Sequence, residues 1–146
     1  MNSMIQQFFC VPTFRYSILS VSQKVIKDNI QVYEGEELND NMLHQFMKLM
    51  SFLELSERQD YNPREFCYAF KDFDNRPTNT REQKDTQEFL NVVFDRLEYS
   101  IKTTPQKYLL QNVFGGETCS VMICKGCGKV SENNEPFFNL TLEVKN

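Results

Sequence analysis

The spacing of the apolar side chains changes once along this sequence, just after Phe114-Gly115-Gly116. Before that point apolar residues recur every three to four positions, which is the spacing that gives a helix one buried face. Residues 117 to 124 and 138 to 144 alternate instead, which predicts two strands joined by the turn-rich connection "CKGCGKVSENNEP". Helices followed by strands predict an α+β fold in which a β-hairpin comes last.

Two short helices are predicted at the start of the chain. Apolar side chains occupy positions i, i+1, i+4 and i+5 between residues 4 and 9, and Pro12 is expected to stop or kink this first helix. The apolar spacing then continues beyond the proline. A second helix is therefore predicted from about Thr13 to Ile26, ahead of a polar loop.

Capping residues predict where the next two helices begin. Asn39 or Asp40 is expected to cap a third helix. The apolar side of that helix comprises Leu43, Phe46, Met47, Met50 and Leu53. In "NPREFCYAF", the residues Asn62, Pro63 and Glu65 have the spacing of an N-cap, a first-turn proline and a capping box. A short fourth helix is predicted there.

The strongest helix pattern lies in the stretch "NRPTNTREQKDTQEFLNVVFDRLEYSI". Its predicted core face comprises Phe89, Leu90, Val93, Phe94, Leu97 and Ile101. Two start signals compete, because Thr80 with Gln83 and Asp85 with Glu88 both have capping-box spacing. The helix should end near Lys102, ahead of "TTP".

The most specific chemical motif is the CxxC pair formed by Cys124 and Cys127. Two thiolates three residues apart, on a turn eased by glycine, can both bind one tetrahedral zinc ion. This is half of a closed site, since the chain contains no second CxxC. A metal-free turn and a redox-active pair remain alternatives. Adding Cys119 gives an iron–sulfur spacing, but strand alternation places Cys119 and Cys124 on opposite faces.

The sequence contains no complete set of residues for nucleophilic catalysis by a thiol. His44 is the only histidine, and it is predicted to lie in the middle of a helix as an ordinary exposed or half-buried side chain. Cys10 and Cys67 each have apolar or aromatic neighbours and are interpreted as small buried hydrophobic residues. The acidic, amide-rich head of the main helix can be explained by capping and by the helix dipole.

Composition and charge exclude several classes of partner. A formal net charge of -4 and a pI near 5.1 give no support for binding to nucleic acid or to an anionic membrane. No apolar run reaches the ~20 residues of a membrane span, and the start lacks the pattern of a signal peptide. Five cysteines at uneven spacing fit reduced thiols. We therefore expect an intracellular protein, cytoplasmic or nuclear.

Three blocks of the sequence, in order, resemble the ubiquitin-specific protease family. "MNSMIQQFFCVPTFR" resembles the helix that follows the nucleophilic cysteine of that family. "EQKDTQEFLNVVFDRLE" resembles its Gln-Gln-Asp-x-x-Glu-Phe block, with Lys84 where a second glutamine or a histidine is common. "VFGGETCSVMICKGCGKVSENNEPFFNLTLEV" resembles the segment that enters the fingers, and the resemblance is greatest to the large members of the family.

The resemblance implies a fragment of a papain-like cysteine peptidase. Residues 1–113 would form the helical thumb, and residues 114–146 would form the start of the fingers and palm strands. Cys124 and Cys127 would be the first pair of ligands of one structural zinc, which braces the strands that hold the body of ubiquitin. The implied partners are ubiquitin and ubiquitinated proteins.

The resemblance also implies roles in binding and catalysis. Gln83 and Asp85 would line the channel for the C-terminal tail of ubiquitin, with Asp85 accepting hydrogen bonds from the tail backbone and from its arginine. The nucleophilic cysteine is expected two residues before Met1, and the catalytic histidine and the second CxxC are expected after Asn146. We thus expect a fragment of a deubiquitinating cysteine protease that is inactive alone. A catalytically inactive ubiquitin-binding relative and a zinc-braced structural module are the alternatives.

Overall fold

The computed structural model describes residues 1–21, 41–71, 76–83 and 85–143. In chain order the elements are α1 (Asn2–Cys10), α2 (Pro12–Leu19), α3 (Met42–Leu55), α4 (Arg64–Ala69), α5 (Thr86–Ile101), α6 (Leu109–Phe114), β1 (Gly116–Ile123) and β2 (Val130–Phe137). The two strands pair as an antiparallel sheet. Helices with a small antiparallel sheet are compatible with the predicted α+β class.

The elements belong to two compact units. Unit 1 spans Met1–Tyr108 and contains α1 to α5, whereas unit 2 spans Leu109–Asn146 and contains α6 and both strands. The expected division into a thumb (1–113) and the start of the fingers (114–146) stays a prediction. Within the described ranges, no helix combines the length and the apolar character that crossing a membrane requires.

Phenylalanine rings from four helices meet in the core of unit 1. The ring centroid of Phe8 in α1 lies 5.4 Å from that of Phe14 in α2. It lies 6.1 Å from Phe46 in α3 and 5.8 Å from Phe94 in α5. All four side chains are at most 4% exposed. The apolar stripes of the helices therefore bury one another, and each ring pair adds about 0.5–1.5 kcal/mol beyond the burial of its area.

The boundary between α1 and α2 lies at the predicted position. α1 ends before Pro12, and Pro12 is the first residue of α2, where its missing N–H costs no helical hydrogen bond. α2 then ends at Leu19 rather than running to Ile26, and residues 22–26 lie outside the described ranges. At this end of the helix the Ser20 hydroxyl donates to the carbonyl of Ser17 at 2.7 Å.

The predicted cap of α3 is wrong by one or two residues. Asn41 is the N-cap, and its Oδ1 accepts a hydrogen bond from His44 N at 3.1 Å. The predicted caps Asn39 and Asp40 lie outside the described residues. His44 is consequently in the first turn of α3 and not in its middle. Of the predicted apolar side, four residues are buried, whereas Leu53 is 41% exposed near the end of the helix.

The start of α4 is confirmed in part. Asn62 Oδ1 accepts from Arg64 N at 3.2 Å, so Asn62 satisfies a backbone donor of the first turn as predicted. The helix begins one residue later than expected, with Pro63 in the N-cap position. Glu65 forms an ion pair with Lys48 of α3 instead of closing a capping box. The hydrogen bond with Glu65 raises the pKa of Lys48.

Asp85 is the N-cap of α5, so the second of the two competing start signals is the one used. Thr80, which belongs to the other signal, lies in a turn ahead of the helix. The helix ends with Lys102 as its C-cap, as predicted. Five residues of the predicted core face are buried, and Leu90 is half-buried. α5 therefore forms the long core helix that its apolar spacing predicts.

One of the two predicted strands is confirmed. β1 begins at Gly116, the second residue of the Gly-Gly pair. Residues 138–143 have no regular structure, and Val144 lies outside the described residues. β2 forms instead over Val130–Phe137, within the segment that was predicted to be a connection. Alternation indicates a strand with one covered face. Residues 131–136 of β2 have no alternating apolar side chains, so alternation could not reveal this strand.

The turn between the strands fixes their register. Cys124 N donates to Lys129 O at 2.9 Å, and Gly128 N donates to Cys124 O at 2.8 Å. Gly128 has a φ of 71°, in the left-handed region that glycine adopts without a steric cost. The first residue pair of the ladder after this turn is Ile123 opposite Val130.

Truncating a ring of the phenylalanine cluster should destabilise the chain strongly. Phe46→Ala removes a fully buried ring that contacts Phe8 and Phe14, so we expect the free energy of unfolding to fall by about 3–5 kcal/mol. Urea unfolding followed by circular dichroism measures this change. Leu55→Ala on the same helix is the control, because Leu55 is 81% exposed and its loss should cost less than about 0.5 kcal/mol. Equal effects of the two substitutions would contradict the described core.

Candidate functional site

Unit 1 contains a cleft of about 1090 Å³. Three chain segments line it: residues 1–3 at the start of α1, residues 62–64 at the start of α4, and residues 77–83 in the turn ahead of α5. Cys67, Tyr68, Thr86 and Phe89 complete the lining. The starts of three helices therefore converge on one concave surface of mixed polar and apolar character, which is the usual shape of a ligand site.

Backbone hydrogen bonds hold the turn segment of the cleft in place. Lys71 and Pro77 form an isolated antiparallel bridge, and Thr78 N donates to Phe70 O at 3.2 Å. Arg96 of α5 donates through Nη2 to the carbonyl of Lys71 at 2.8 Å. The segment that carries Gln83 is thus attached to the end of α4 and to α5.

The structure places the two predicted binding residues differently. Gln83 is exposed and lines the cleft. Asp85 caps α5: its Oδ1 accepts from Gln87 N at 2.8 Å and from Glu88 N at 3.0 Å. Asp85 is exposed and lies in sequence between Gln83 and Thr86, which both line the cleft. The capping interpretation of Asp85 is confirmed, and its contact with a ubiquitin tail stays a prediction.

Sequence reasoning missed a carboxylate that lines the cleft, that of Glu82. Asn79 Nδ2 donates to Glu82 Oε1 at 2.8 Å, and Glu82 N donates to Asn79 O at 3.2 Å. The two residues have the Asn-x-x-Glu spacing of a capping box, one position ahead of the Thr80 and Gln83 pair. That spacing was the available signal, and it forms a turn here instead of a helix start.

The cysteines of unit 1 have no thiol–imidazole arrangement in the described residues. Cys67 lines the cleft and is half-buried, with its Sγ 3.9 Å from the Sδ of Met1. Burial raises the pKa of the Cys67 thiol, which disfavours the nucleophilic thiolate. Cys10 is exposed, so its interpretation as a buried residue was wrong. Cys10 lies off the stripe that Ile5 and Phe8 bury.

The CxxC motif of unit 2 forms the turn between β1 and β2. Both Cys124 and Cys127 are exposed. Hydrogen bonds from the backbone N–H of Cys127, from its thiol and from the backbone N–H of Gly126 lower the pKa of Cys124. A turn that favours the thiolate suits a zinc ligand, since zinc binds the deprotonated sulfur. Within the described residues, no group of three or more histidine, cysteine or acidic side chains could hold a metal ion. The zinc half-site at Cys124 and Cys127 stays a prediction.

Comparison with known proteins identifies the class to which this fold and cleft belong. The family model described as "Ubiquitin carboxyl-terminal hydrolase" matches residues 1–145. The chain therefore belongs to the ubiquitin carboxyl-terminal hydrolase family, which comprises deubiquitinating cysteine proteases. The resemblance that the three sequence blocks indicated, to the ubiquitin-specific proteases, is confirmed.

Several curated relatives match almost the whole chain. It is 28% identical over 180 residues to human "Ubiquitin carboxyl-terminal hydrolase 9Y". The aligned region covers 100% of this chain and 7% of the human protein. It is 30% identical over 145 residues to "Ubiquitin carboxyl-terminal hydrolase puf" of Drosophila melanogaster, and the aligned region covers 99% of this chain and 3% of that protein. For human "Ubiquitin carboxyl-terminal hydrolase 34" the identity is 28% over 143 residues, and the aligned region covers 97% of this chain and 4% of that protein. The chain spans only a small part of the length of these relatives.

Removing the Asp85 cap should destabilise α5. Asp85→Ala leaves two backbone N–H groups of the first turn without their acceptor, so we expect a loss of about 1 kcal/mol in the free energy of unfolding. Asp85→Asn keeps an acceptor oxygen at the same place and should lower the free energy of unfolding by only about 0.3 kcal/mol. Urea unfolding of the two variants measures the difference. An equal loss in both variants would show that charge, and not the cap, is what matters.

The Cys124 thiol should ionise at a lower pH in the folded chain than in the unfolded chain. Because the turn lowers the pKa of Cys124, the thiolate fraction and the rate of alkylation by iodoacetamide should rise earlier as pH increases. Mass spectrometry of the modified peptides across a pH series gives this rate for Cys124. The same chain unfolded in urea is the control. Coincident pH profiles in the two states would contradict the hydrogen bonding of the turn.

Proposed function

We propose that this chain forms part of the catalytic domain of a deubiquitinating protease, which hydrolyses the bond at the C-terminus of ubiquitin. The observation that carries the proposal is that two separate blocks resembling the family, residues 1–3 and residues 82, 83 and 86, line one cleft. They lie about 80 positions apart in the sequence, so their convergence is a property of the fold. The cleft is the natural channel for an extended tail.

In this proposal Gln83 and Asp85 bind the C-terminal tail of ubiquitin. Both capping bonds of Asp85 end on Oδ1, so the cap does not use Oδ2. Oδ2 is then the atom that accepts hydrogen bonds from the tail backbone and from its arginine. The cap holds the carboxylate in one position, which lowers the entropy lost when the tail binds. Gln83 contributes an amide donor and acceptor inside the cleft.

We further propose that residues 1–113 form the helical thumb and residues 114–146 the start of the fingers of a papain-like peptidase. Cys124 and Cys127 would hold half of one structural zinc ion, whose role would be to cross-link strands. The nucleophile and the histidine of the family mechanism are assigned to no residue of this chain. The described cysteines are all unpaired thiols, which suits an intracellular protein, cytoplasmic or nuclear.

A ubiquitin-binding relative without catalytic activity is the second candidate. In this candidate the Cys67 thiol, which lines the cleft, takes no part in catalysis, because burial raises its pKa and disfavours the thiolate. Treating the full-length protein with ubiquitin that carries a thiol-reactive C-terminal group separates the candidates, since only the protease forms a covalent adduct. A zinc-braced structural module, the third candidate, would bind neither this probe nor ubiquitin.

Loss of the Asp85 charge should weaken ubiquitin binding without loss of the cap. Asp85→Asn replaces charge-assisted hydrogen bonds by neutral ones, and we expect the dissociation constant for ubiquitin to rise about tenfold. Titration of isotopically labelled ubiquitin with the chain, followed by nuclear magnetic resonance, measures the constant and reports whether the tail signals move. Asp95→Asn, an exposed position on the same helix, is the matched control. No binding by the unsubstituted chain would refute the proposed function.

A further inference from the structure

Thr78 has a hydroxyl group that the fold buries without a partner. The residue lines the cleft and is 8% exposed, and its Oγ1 has no hydrogen-bond partner within the part of the chain that the structure describes. Its backbone is fixed, since Thr78 N donates to Phe70 O at 3.2 Å beside the bridge between Lys71 and Pro77. Burying a hydroxyl without a hydrogen bond costs free energy. A ligand that offers an acceptor oxygen to this hydroxyl would remove the cost.

Two arginine side chains, those of Arg64 and Arg81, line the same cleft. Both are exposed, and the ion pairs found in the described ranges join other residues. The guanidinium of Arg64 lies over the ring of Tyr68, 5.8 Å from its centroid, which leaves the N–H donors in its own plane available. Arg81 follows the turn at Asn79, whose Oδ1 accepts from Arg81 N at 3.1 Å. Both arginines therefore extend from hydrogen-bonded backbone and can donate to an anion.

The balance of charge in the cleft favours a negatively charged ligand. Among the lining residues that the structure describes, Glu82 is the one carboxylate, against the two arginines. One oxygen of this carboxylate, Oε1, already accepts a hydrogen bond from Asn79 Nδ2 at 2.8 Å. Because like charges repel and unlike charges attract, the lining as a whole attracts anions, and Glu82 opposes that attraction in part.

The three donor groups suit a phosphate group better than a carboxylate. A phosphate group on a side chain carries nearly two negative charges at neutral pH and has three terminal oxygens. A guanidinium donates two parallel hydrogen bonds to such oxygens, and a threonine hydroxyl donates one more. A carboxylate has only two oxygens and one charge to share among the same donors. Arginine clusters are a recurring way in which proteins recognise phosphorylated groups.

We propose that the cleft binds a phosphate group, with Arg64 and Arg81 pairing with its charge and the Thr78 hydroxyl donating to one of its oxygens. This inference goes beyond the proposed function, because it uses none of the residues assigned to the tail of ubiquitin. It therefore stands whether or not the chain binds ubiquitin. Two sources offer this chemistry: free inorganic phosphate and the phosphorylated side chain of a protein segment.

The test is a titration of the isotopically labelled chain with inorganic phosphate or with a short phosphoserine peptide, at constant ionic strength, followed by nuclear magnetic resonance. We expect saturable shifts of the amide signals of Thr78 and Arg81. Arg64→Gln and Arg81→Gln should each raise the dissociation constant about fivefold, the scale of a solvent-accessible ion pair. Arg58→Gln is the matched control, since it removes the same charge from an exposed position outside the cleft lining and should change nothing. Tighter binding of the peptide would identify a phosphorylated protein as the source, and equal or weaker binding would identify the free anion.

Two further substitutions test the signs of the proposed contacts. Thr78→Val removes the unpartnered hydroxyl, so in phosphate-free buffer the midpoint of thermal unfolding should rise by about 2 °C, while the dissociation constant for phosphate rises about threefold. A lower midpoint would show that the hydroxyl supports the fold instead, and would overturn its assignment as a donor. Glu82→Gln removes the opposing charge and should tighten phosphate binding about twofold. The inference as a whole is overturned if neither probe gives saturable shifts, or if Arg58→Gln weakens binding as much as the two cleft substitutions do.

Discussion

The contact of Phe8 with Phe14, Phe46 and Phe94 is the interaction on which the rest of unit 1 depends. Four helices are too short to be stable alone, and the shared cluster is what buries their apolar stripes. The cluster also sets the positions in space of the helix starts. Phe8 lies about 9 Å along α1 from its first residue, and Phe94 lies about 12 Å along α5 from its first residue. The cluster therefore brings two distant stretches of sequence to one cleft.

The cleft is built from parts that first serve the fold. Asp85 caps α5, the Asn79 turn leads the chain into that cap, and the bond from Arg96 holds the far side of the segment. Each interaction is local and modest, on the order of 1 kcal/mol. Their combined effect is to hold two carboxylates at defined positions before any ligand arrives. In this site structural and binding roles reinforce each other, since a carboxylate that is fixed by the fold binds at a lower entropic cost.

The parts of the fold that the sequence predicts are those with a local physical cause. α5 and its Asp85 cap follow from apolar spacing and from a side chain that satisfies backbone donors beside it. β2 could not be found in this way, because residues 131–136 have no alternating apolar side chains and the register of the strand is set by the turn at Gly128. The end of α2 was missed because the apolar spacing continues beyond Leu19, where the helix ends. Glu82 was missed because its significance lies in the cleft, which only the fold assembles.

Unit 2 is stabilised in a different way from unit 1. Its strands are exposed along nearly their whole length, so burial contributes little to the two-stranded sheet, and such a sheet alone is marginal in water. What orders it is the ladder itself and the turn in which Cys124 accepts and donates backbone hydrogen bonds. Cys124 and Cys127 lie in this turn. A metal bound there would fix the register where hydrophobic packing does not, and the same turn that lowers the pKa of Cys124 supplies the thiolate that such a metal requires.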